Sequence, residues 1–258
     1  MIIDGYKECS LKEAQYNMMD ILDKVQEICE KNNIQYCLGD GSLLGAIRHR
    51  GFIPWDDDMD IWMLRDDFNK FISIAKKELG DKYFLQTIDS DKYYNLYHIP
   101  CKVRKKNTLC IEKNEIDEKY HKGMYIDVFP LDFIPNSSKL DYLKFYFYKF
   151  TIKFFRKLRN VTFLRGFIKK LLRKISKSAI CNEKNKGNLV TYGVETFWNK
   201  EIRKMDLLPF KKLKFENREY YVPNNSEKIL EVLYGDYLTL PSDEDRHKHS
   251  IYLGIRSE

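Results

Sequence analysis

A chain of 258 residues, 43% hydrophobic and 14% aromatic, is long enough for one large core with or without an appendage. Its charged fraction of 32% is mixed in sign, which excludes wholesale disorder, and no run of about 18 apolar residues predicts a membrane-crossing helix. The net charge of +7 is uneven: residues 139–177 hold thirteen Lys or Arg against the single acid Asp141, a local +12 that leaves the remainder at −5.

Taken in chain order, Leu11, Ala14, Met18, Ile21, Leu22, Val25 and Ile28 recur at three- and four-residue spacing, which predicts a helix over 11–31. Residues 34–40 read as a short strand and 41–49 as a helix opening at Gly41-Ser42. A strand over 59–64, a helix over 66–79 and a strand over 83–88 follow. Residues 99–112 read as a hairpin or strand pair, and 124–132 as a strand ended by Pro130. Residues 139–180 are helical by periodicity, as two helices broken near Gly166. A hairpin turns around Asn217-Arg218, and a last helix from 226 stops at Gly235. Strands and helices in this irregular order predict an α+β fold, a mixed β-sheet flanked by helices with a basic helical subdomain. The predicted boundaries are 1–138 for the core, 139–200 for the basic aromatic helices and 201–258 for a hairpin, helix and tail.

The stretch GSLLGAIRHRGFIPWDDDMDIW (41–62) crowds aspartates at 56, 57, 58 and 60 beside Trp55, Ile61 and Trp62. Carboxylates so close resist ionising together unless a cation lies among them. Asp58 and Asp60, two apart on a strand, share a face while Met59 and Ile61 point the other way. Asp56 can reach that face, and Asp127, a lone acid in MYIDVFP, adds a third carboxylate if its strand is a neighbour. Hard oxygens in this number suit Mg²⁺ or Mn²⁺ together with substrate phosphates. Gly41 and Ser42 at a helix start offer N–H groups and a hydroxyl to a phosphate. Each piece also has an ordinary structural account: Ser42 as an N-cap, Asp57 as a solvated turn residue, Asp127 as a strand-end hydrogen-bonding group. A calcium EF-hand is excluded, because it needs Gly at 61 and Glu at 67, where Ile61 and Asp67 stand.

That long stretch resembles the signature of the LicD family, related to the fukutin-related proteins. CKVRKKNT (101–108), GMYIDVFPLD (123–132), REYYVPNNSEKILEVLYGDY (218–237) and LPSDEDRHKH (240–249) are similar to the family's later blocks, in its order. The resemblance covers nearly the whole chain and is weakest over 139–200. It implies a nucleotidyltransferase-like fold whose catalytic core is 1–138 and whose site is completed by 201–258. It implies divalent-metal-dependent transfer of a phosphoalcohol, typically phosphocholine from CDP-choline, onto a hydroxyl of a glycan such as teichoic acid, capsule or lipopolysaccharide, with release of CMP. Asp56, Asp58, Asp60 and Asp127 would hold the ion, with Asp58, Asp60 and Asp127 the catalytic set, and Asp127 alternatively a general base. Gly41, Ser42, Arg48, Lys102 and Arg104 are the candidates for nucleotide or phosphate, Arg104 being equally readable as surface charge. Trp55, Trp62 and Tyr125 are candidates for cation–π contact with choline, although aromatics are more often core. Arg246, His247 and His249 could close over the site; with no third soft ligand, the HxH there does not predict a transition-metal centre.

The basic segment packs eight aromatics between 142 and 155 among lysines. It reads either as a helix lying on an anionic membrane, consistent with a lipid-linked glycan acceptor, or as a helix pair packed on the core with a wet basic face. No nucleic-acid recognition module accompanies the charge, so no nucleic-acid partner is expected. The N-terminal residues show no leader, and Cys9, Cys29, Cys37, Cys101, Cys110 and Cys181 form no CxxC, so reduced thiols in a cytoplasmic protein, peripheral at the inner membrane face, are expected. The rival readings are transfer from another CDP-alcohol such as ribitol- or glycerol-phosphate, nucleotidyl transfer, and a non-enzymatic membrane-peripheral scaffold for glycan assembly.

Overall fold

The computed structural model describes residues 2–3, 5–94, 99–113, 116–136, 139–156, 166–167, 170–171, 174, 186–246 and 248–257. Helix α1 (Leu11–Lys31) begins where Ser10 and Glu13 form a capping box: Ser10 Oγ accepts from Glu13 N–H at 3.2 Å, and the Glu13 carboxylate accepts from Ser10 N–H at 2.8 Å. The stripe from Ala14 to Ile28 is fully buried, as its spacing predicts.

The central sheet explains where the chemistry can sit. Its strands are β3 (Cys37–Leu38), β4 (Asp60–Leu64), β5 (Tyr83–Gln86), β6 (Cys101–Lys105), β8 (Tyr125–Pro135), β9 (Lys186–Tyr192) and β10 (Ile202–Arg203). β4 and β8 are parallel and every other pairing is antiparallel, so the sheet is mixed and the fold is α+β. All eleven residues of β8 are buried. One edge of β8 pairs with β4, and the other is shared between β6, along 125–128, and β9, along 131–135. Helices α1 and α3 (Arg65–Glu78) pack against β8, while α2 (Asp40–Arg48) packs against β4 and the last helix, Ser226–Tyr234.

Pro130 does not end β8, contrary to expectation. Asp127 N–H points to β4, where Met59 O accepts it at 2.8 Å. By alternation, the N–H that Pro130 lacks would point to the opposite edge. There Pro130 falls between the last residue paired with β6 and the first paired with β9, so no ladder bond is lost. The 99–112 segment also differs: it forms two strands, but β6 and β7 (Thr108–Glu112) bend apart at Asn107 (φ 61°) into different sheets. β7 pairs with β13 (Ser250–Arg256), which continues to β2 (Tyr6–Glu8) and β1 (Ile2–Ile3).

The hairpin β11 (Lys211–Phe215) and β12 (Arg218–Val222) and the stop at Gly235 (φ 72°) stand as expected. Helix α4 (Lys139–Arg156) packs against β8. Within 157–185 only residues 166–167, 170–171 and 174 are described, so most of the expected second helix and Cys181 lie outside the described residues. The segment assigned to basic helices is not helical throughout, because β9 is a strand of the central sheet. The five described cysteines are free thiols, and four of them are buried. Among the described residues, no helix is long and apolar enough to cross a membrane.

Candidate active site

Three neighbouring strands bring three charged side chains into line. Asp60 on β4 is in register with Asp127 on β8, and Asp127 is in register with Lys102 on β6. Period-two alternation puts all three on one face of the sheet, with Tyr125 and Phe129 beside Asp127. Lys102 is 1% exposed; its Nζ lies 2.8 Å from Asp127 Oδ1 and donates to Oδ2 at 3.1 Å. Above them opens a cleft of about 380 Å³ that Asp40, Gly41, Asp56, Asp58, Glu112 and His249 also line.

The loop and helix before β4 hold the acids in place. Ser42 Oγ accepts a hydrogen bond from Asp60 N–H at 2.8 Å, and Gly39 N–H donates to Asp60 O at 3.0 Å. Glycine is required at 39, where a Cβ would stand 2.3 Å from the Trp62 indole nitrogen; at 41 it would meet Asp56 Oδ2 at 3.1 Å. Asp40 adopts a left-handed backbone (φ 41°), and its carboxylate accepts from Trp62 Nε1 at 2.9 Å and from the Tyr192 hydroxyl. Asp57 is not a solvated turn residue. It is 1% exposed and accepts from His249 N–H (3.1 Å), Ser250 N–H (2.7 Å) and the Ser250 hydroxyl, latching the start of β13 beside the cleft.

The electrostatics are those of acids crowded together. Burial, then repulsion from Asp58, Asp40, Asp127 and Asp56, raises the Asp60 pKa well above the usual carboxylate range. Burial pushes Asp40 and Asp127 each up to about 6; for Asp127, Lys102 opposes that shift. Asp56 and Asp58 stand close enough to influence each other, and both are raised above the usual carboxylate range, chiefly by burial. His249 Nε2 lies 3.6 Å from Asp58 Oδ2.

Asp56, Asp58, Asp60 and Asp127 therefore share one cleft without closing on one point: among the described residues, no three Asp, Glu, His or Cys side chains form a ready-made ion cage. The donors still fit Mg²⁺ or Mn²⁺, because Mg²⁺ commonly takes one or two carboxylates and keeps several waters. Asp127 is already paired with Lys102, and a cation among the remaining acids would relieve their mutual repulsion.

Several expected contacts are placed elsewhere. The Ser42 hydroxyl is committed to Asp60 N–H rather than free for phosphate, while Gly41 does line the cleft. Arg48 lies outside the cleft lining and donates to Tyr237 O at 2.8 Å and His49 Nε2 at 3.0 Å. Arg104 is neither surface charge nor cleft lining: it is buried behind Tyr125, donating to Gln86 Oε1 and to Gly123 O at 2.7 Å. Arg246 stacks on Trp55, 4.3 Å from its ring centre, and pairs with Asp243, so neither Trp55 nor Arg246 lines the cleft. Trp62 is fully buried, its N–H spent on Asp40. Tyr125 lines the cleft, but Lys102 and Arg104 already stand 3.4 and 4.8 Å from its ring centre, and its hydroxyl donates to Glu112. His249 lines the cleft, whereas His247 lies outside the described residues.

Sequence reasoning missed Asp40, Glu112, Phe129, Tyr192, Trp198 and Tyr234, all of which line the cleft. Phe129 was reachable by counting two residues on from Asp127. Tyr192 and Trp198 carried no local signal. They are positioned by a buried network in which Arg65 grips both Asp132 (2.7 and 2.7 Å) and Glu195 (2.8 and 2.6 Å), while Asp132 accepts from Val194 N–H at 2.7 Å. Lys149 of α4 ties the same loop, donating to Tyr192 O at 2.6 Å.

Residues 33–171 match the family described as LicD/FKTN/FKRP, nucleotidyltransferase domain. The lipopolysaccharide cholinephosphotransferase LicD of Haemophilus influenzae is 30% identical over 271 aligned positions, covering 95% of this chain and 97% of that one. The chain belongs to the LicD family. The uncharacterized protein RP689 of Rickettsia prowazekii is 29% identical over 142 positions, 54% of this chain and 46% of that protein. The LicD match to residues 33–171 takes in Asp40, the aspartate run, Lys102 and Asp127, so the cleft is centred on the family's domain. The near end-to-end alignment with the Haemophilus transferase also takes in the chain positions of Tyr192 and Trp198.

Proposed function

We propose that this LicD-family transferase moves phosphocholine from CDP-choline to a hydroxyl of a surface glycan of the lipopolysaccharide type, releasing CMP, with Mg²⁺ or Mn²⁺ as cofactor. One observation carries the reading: Asp60, Asp127 and Lys102 stand in register under a single acidic cleft, in a chain alignable along nearly its whole length with a cholinephosphotransferase. Asp56, Asp58, Asp60 and Asp127 would hold the ion. Bound there, it supplies charge neutralisation for the diphosphate and the departing CMP.

The chain's own groups do the rest. Lys102 offers one cation to the transferred phosphate while holding Asp127 in place. Alternatively, left out of the ion's ligand set, Asp127, whose pKa burial raises, accepts the proton of the acceptor hydroxyl as that oxygen bonds to phosphorus and the bond to CMP breaks. His249, from the tail, stands at the cleft beside Asp58.

A donor screen tests the proposal: CDP-choline, CDP-ribitol, CDP-glycerol and nucleoside triphosphates, each with Mg²⁺ and a lipopolysaccharide acceptor. CMP should appear with CDP-choline and vanish with chelator. Pyrophosphate from triphosphates, with no CMP from any CDP-alcohol, would replace the reading with nucleotidyl transfer; silence with every donor would favour the scaffold.

The same reading puts the enzyme at the inner face of the membrane. Leu140, Leu143, Phe147 and Phe150 form an exposed stripe along α4, opposite the buried Phe145 and Lys149. This stripe lies within the segment carrying a local +12. Apolar side chains flanked by cations suit an anionic leaflet, each basic residue adding roughly 1 kcal/mol. Flotation with anionic vesicles, weakened by Phe147→Ser and Phe150→Ser and absent with neutral vesicles, is the expected result.

A further inference from the structure

The cleft has two unlike ends. Going along β8 from Tyr125 to Phe129, its lining changes from charged, with Lys102 and Glu112, to aromatic. At the aromatic end the ring centres of Phe129, Tyr192 and Trp198 lie 5.5, 5.8 and 6.1 Å from one another. The Phe129 plane stands at 79° to Trp198 and 86° to Tyr192. Phe129 stands steeply to both partners, while Tyr192 and Trp198 tilt at 42° to each other and Trp198 also stacks on Phe197. The three rings thus form a corner, and all three line the cleft. Behind it sits Asp40, held by the Tyr192 hydroxyl and the Trp62 indole N–H.

We propose that Phe129, Tyr192 and Trp198, backed by Asp40, form the pocket for the methylated ammonium of the donor, and that this corner selects a quaternary-ammonium alcohol over a primary amine or a polyol. The inference rests on the phosphoalcohol-transfer reading and names the residues that choose the alcohol. A quaternary ammonium makes no hydrogen bonds and is held by ring faces and by charge at a distance. A primary ammonium or a polyol gains most from hydrogen-bond partners, and here one lone pair on each Asp40 oxygen is already taken by the protein while the ring faces offer none. What the corner offers is negative charge and ring faces. The Tyr192 ring, donating its O–H to a carboxylate, is the more electron-rich for it.

Position agrees. Asp127 and Phe129 are two residues apart on one strand, about 6.6 Å, so a phosphate seated by Lys102 would place a group two carbons beyond it near the corner. Of the other aromatic candidates, Tyr125 already carries Lys102 and Arg104, Trp55 carries Arg246 outside the cleft lining, and Trp62 is fully buried.

The test compares CDP-choline, CDP-ethanolamine and CDP-ribitol with the Mg²⁺-loaded enzyme, and uses free phosphocholine as a competitive inhibitor. Trp198→Leu should raise KM for CDP-choline about tenfold with kcat little changed. It should weaken phosphocholine inhibition by the same factor and shrink the preference for choline over ethanolamine. Trp198→Phe should restore most of the loss. Should Trp198→Leu fail to fold, Asp40→Asn, which keeps the shape and removes the charge, is expected to shift the preference in the same direction. A wild type without preference for the choline donor, or variants that weaken all donors equally, would overturn the inference while leaving phosphoalcohol transfer standing. Absence of CMP from every CDP-alcohol would remove both.

Discussion

Ser42 Oγ accepts the backbone N–H of Asp60 at 2.8 Å, tying the first turn of α2 to the first residue of β4. Ser42→Ala therefore leaves a buried N–H without a partner and should cost about 1–3 kcal/mol, read by urea unfolding. Because the hydroxyl is occupied, the donor KM should barely move. A large KM change with stability intact would mean that the serine binds phosphate after all.

Asp58→Asn and Asp60→Asn should separate chemistry from folding. Each removes one of several mutually repelling carboxylates, so the metal-free protein should melt no lower than wild type, and for Asp60→Asn higher. Turnover should fall at least about a hundredfold. Comparable CMP release by variant and wild type would refute the assigned roles. Asp127→Asn should abolish turnover and also destabilise, since it strands buried Lys102 without an anion.

Metal should reveal itself in stability as well as in rate. Asp40 and Asp127, raised to about 6, hold protons in the folded chain that the unfolded chain has released. Without metal, stability should thus fall as pH rises from about 4 to about 6. A divalent cation competes with those protons, so the Mg²⁺-induced rise in Tm should be larger at neutral pH than at pH 5 or so, and should be lost in Asp60→Asn. A rise independent of pH would place the ion elsewhere.

Lys149 titrates in the opposite sense. Burial lowers its ammonium to about 7 in the folded state, against about 10.4 unfolded. Between those values the unfolded chain binds the extra proton, so this group makes stability rise with pH from about 7 to about 10. Subtracting the unfolding profile of Lys149→Met from that of wild type should expose that slope. A flat difference would show that the amine is not charged on unfolding alone.

Much of the frame could be read before any coordinates. Helix α1 was legible because seven apolar residues recur at helical spacing, and Asp60 and Asp127 because period two separates a strand's faces; Asp58 reaches the same cleft from just before β4. What stayed hidden depends on partners far along the chain. Pro130 is tolerated only because β6 and β9 divide one edge of β8. Arg48 and Arg104 look like phosphate ligands until their carbonyl and amide partners are known. Tyr192 and Trp198 enter the cleft through the pairing of β9 with β8 and the grip of Arg65 on Asp132 and Glu195, none of it encoded in local spacing.

Asp57 shows how adjacent identical residues can answer to different pressures. Its neighbours face the cleft, whereas it fastens His249 and Ser250. A mutational screen scoring only lost activity would rank all four acids alike. One of those losses would arise from an unfastened C-terminal strand, and it alone should be recoverable by compensating changes remote from the cleft.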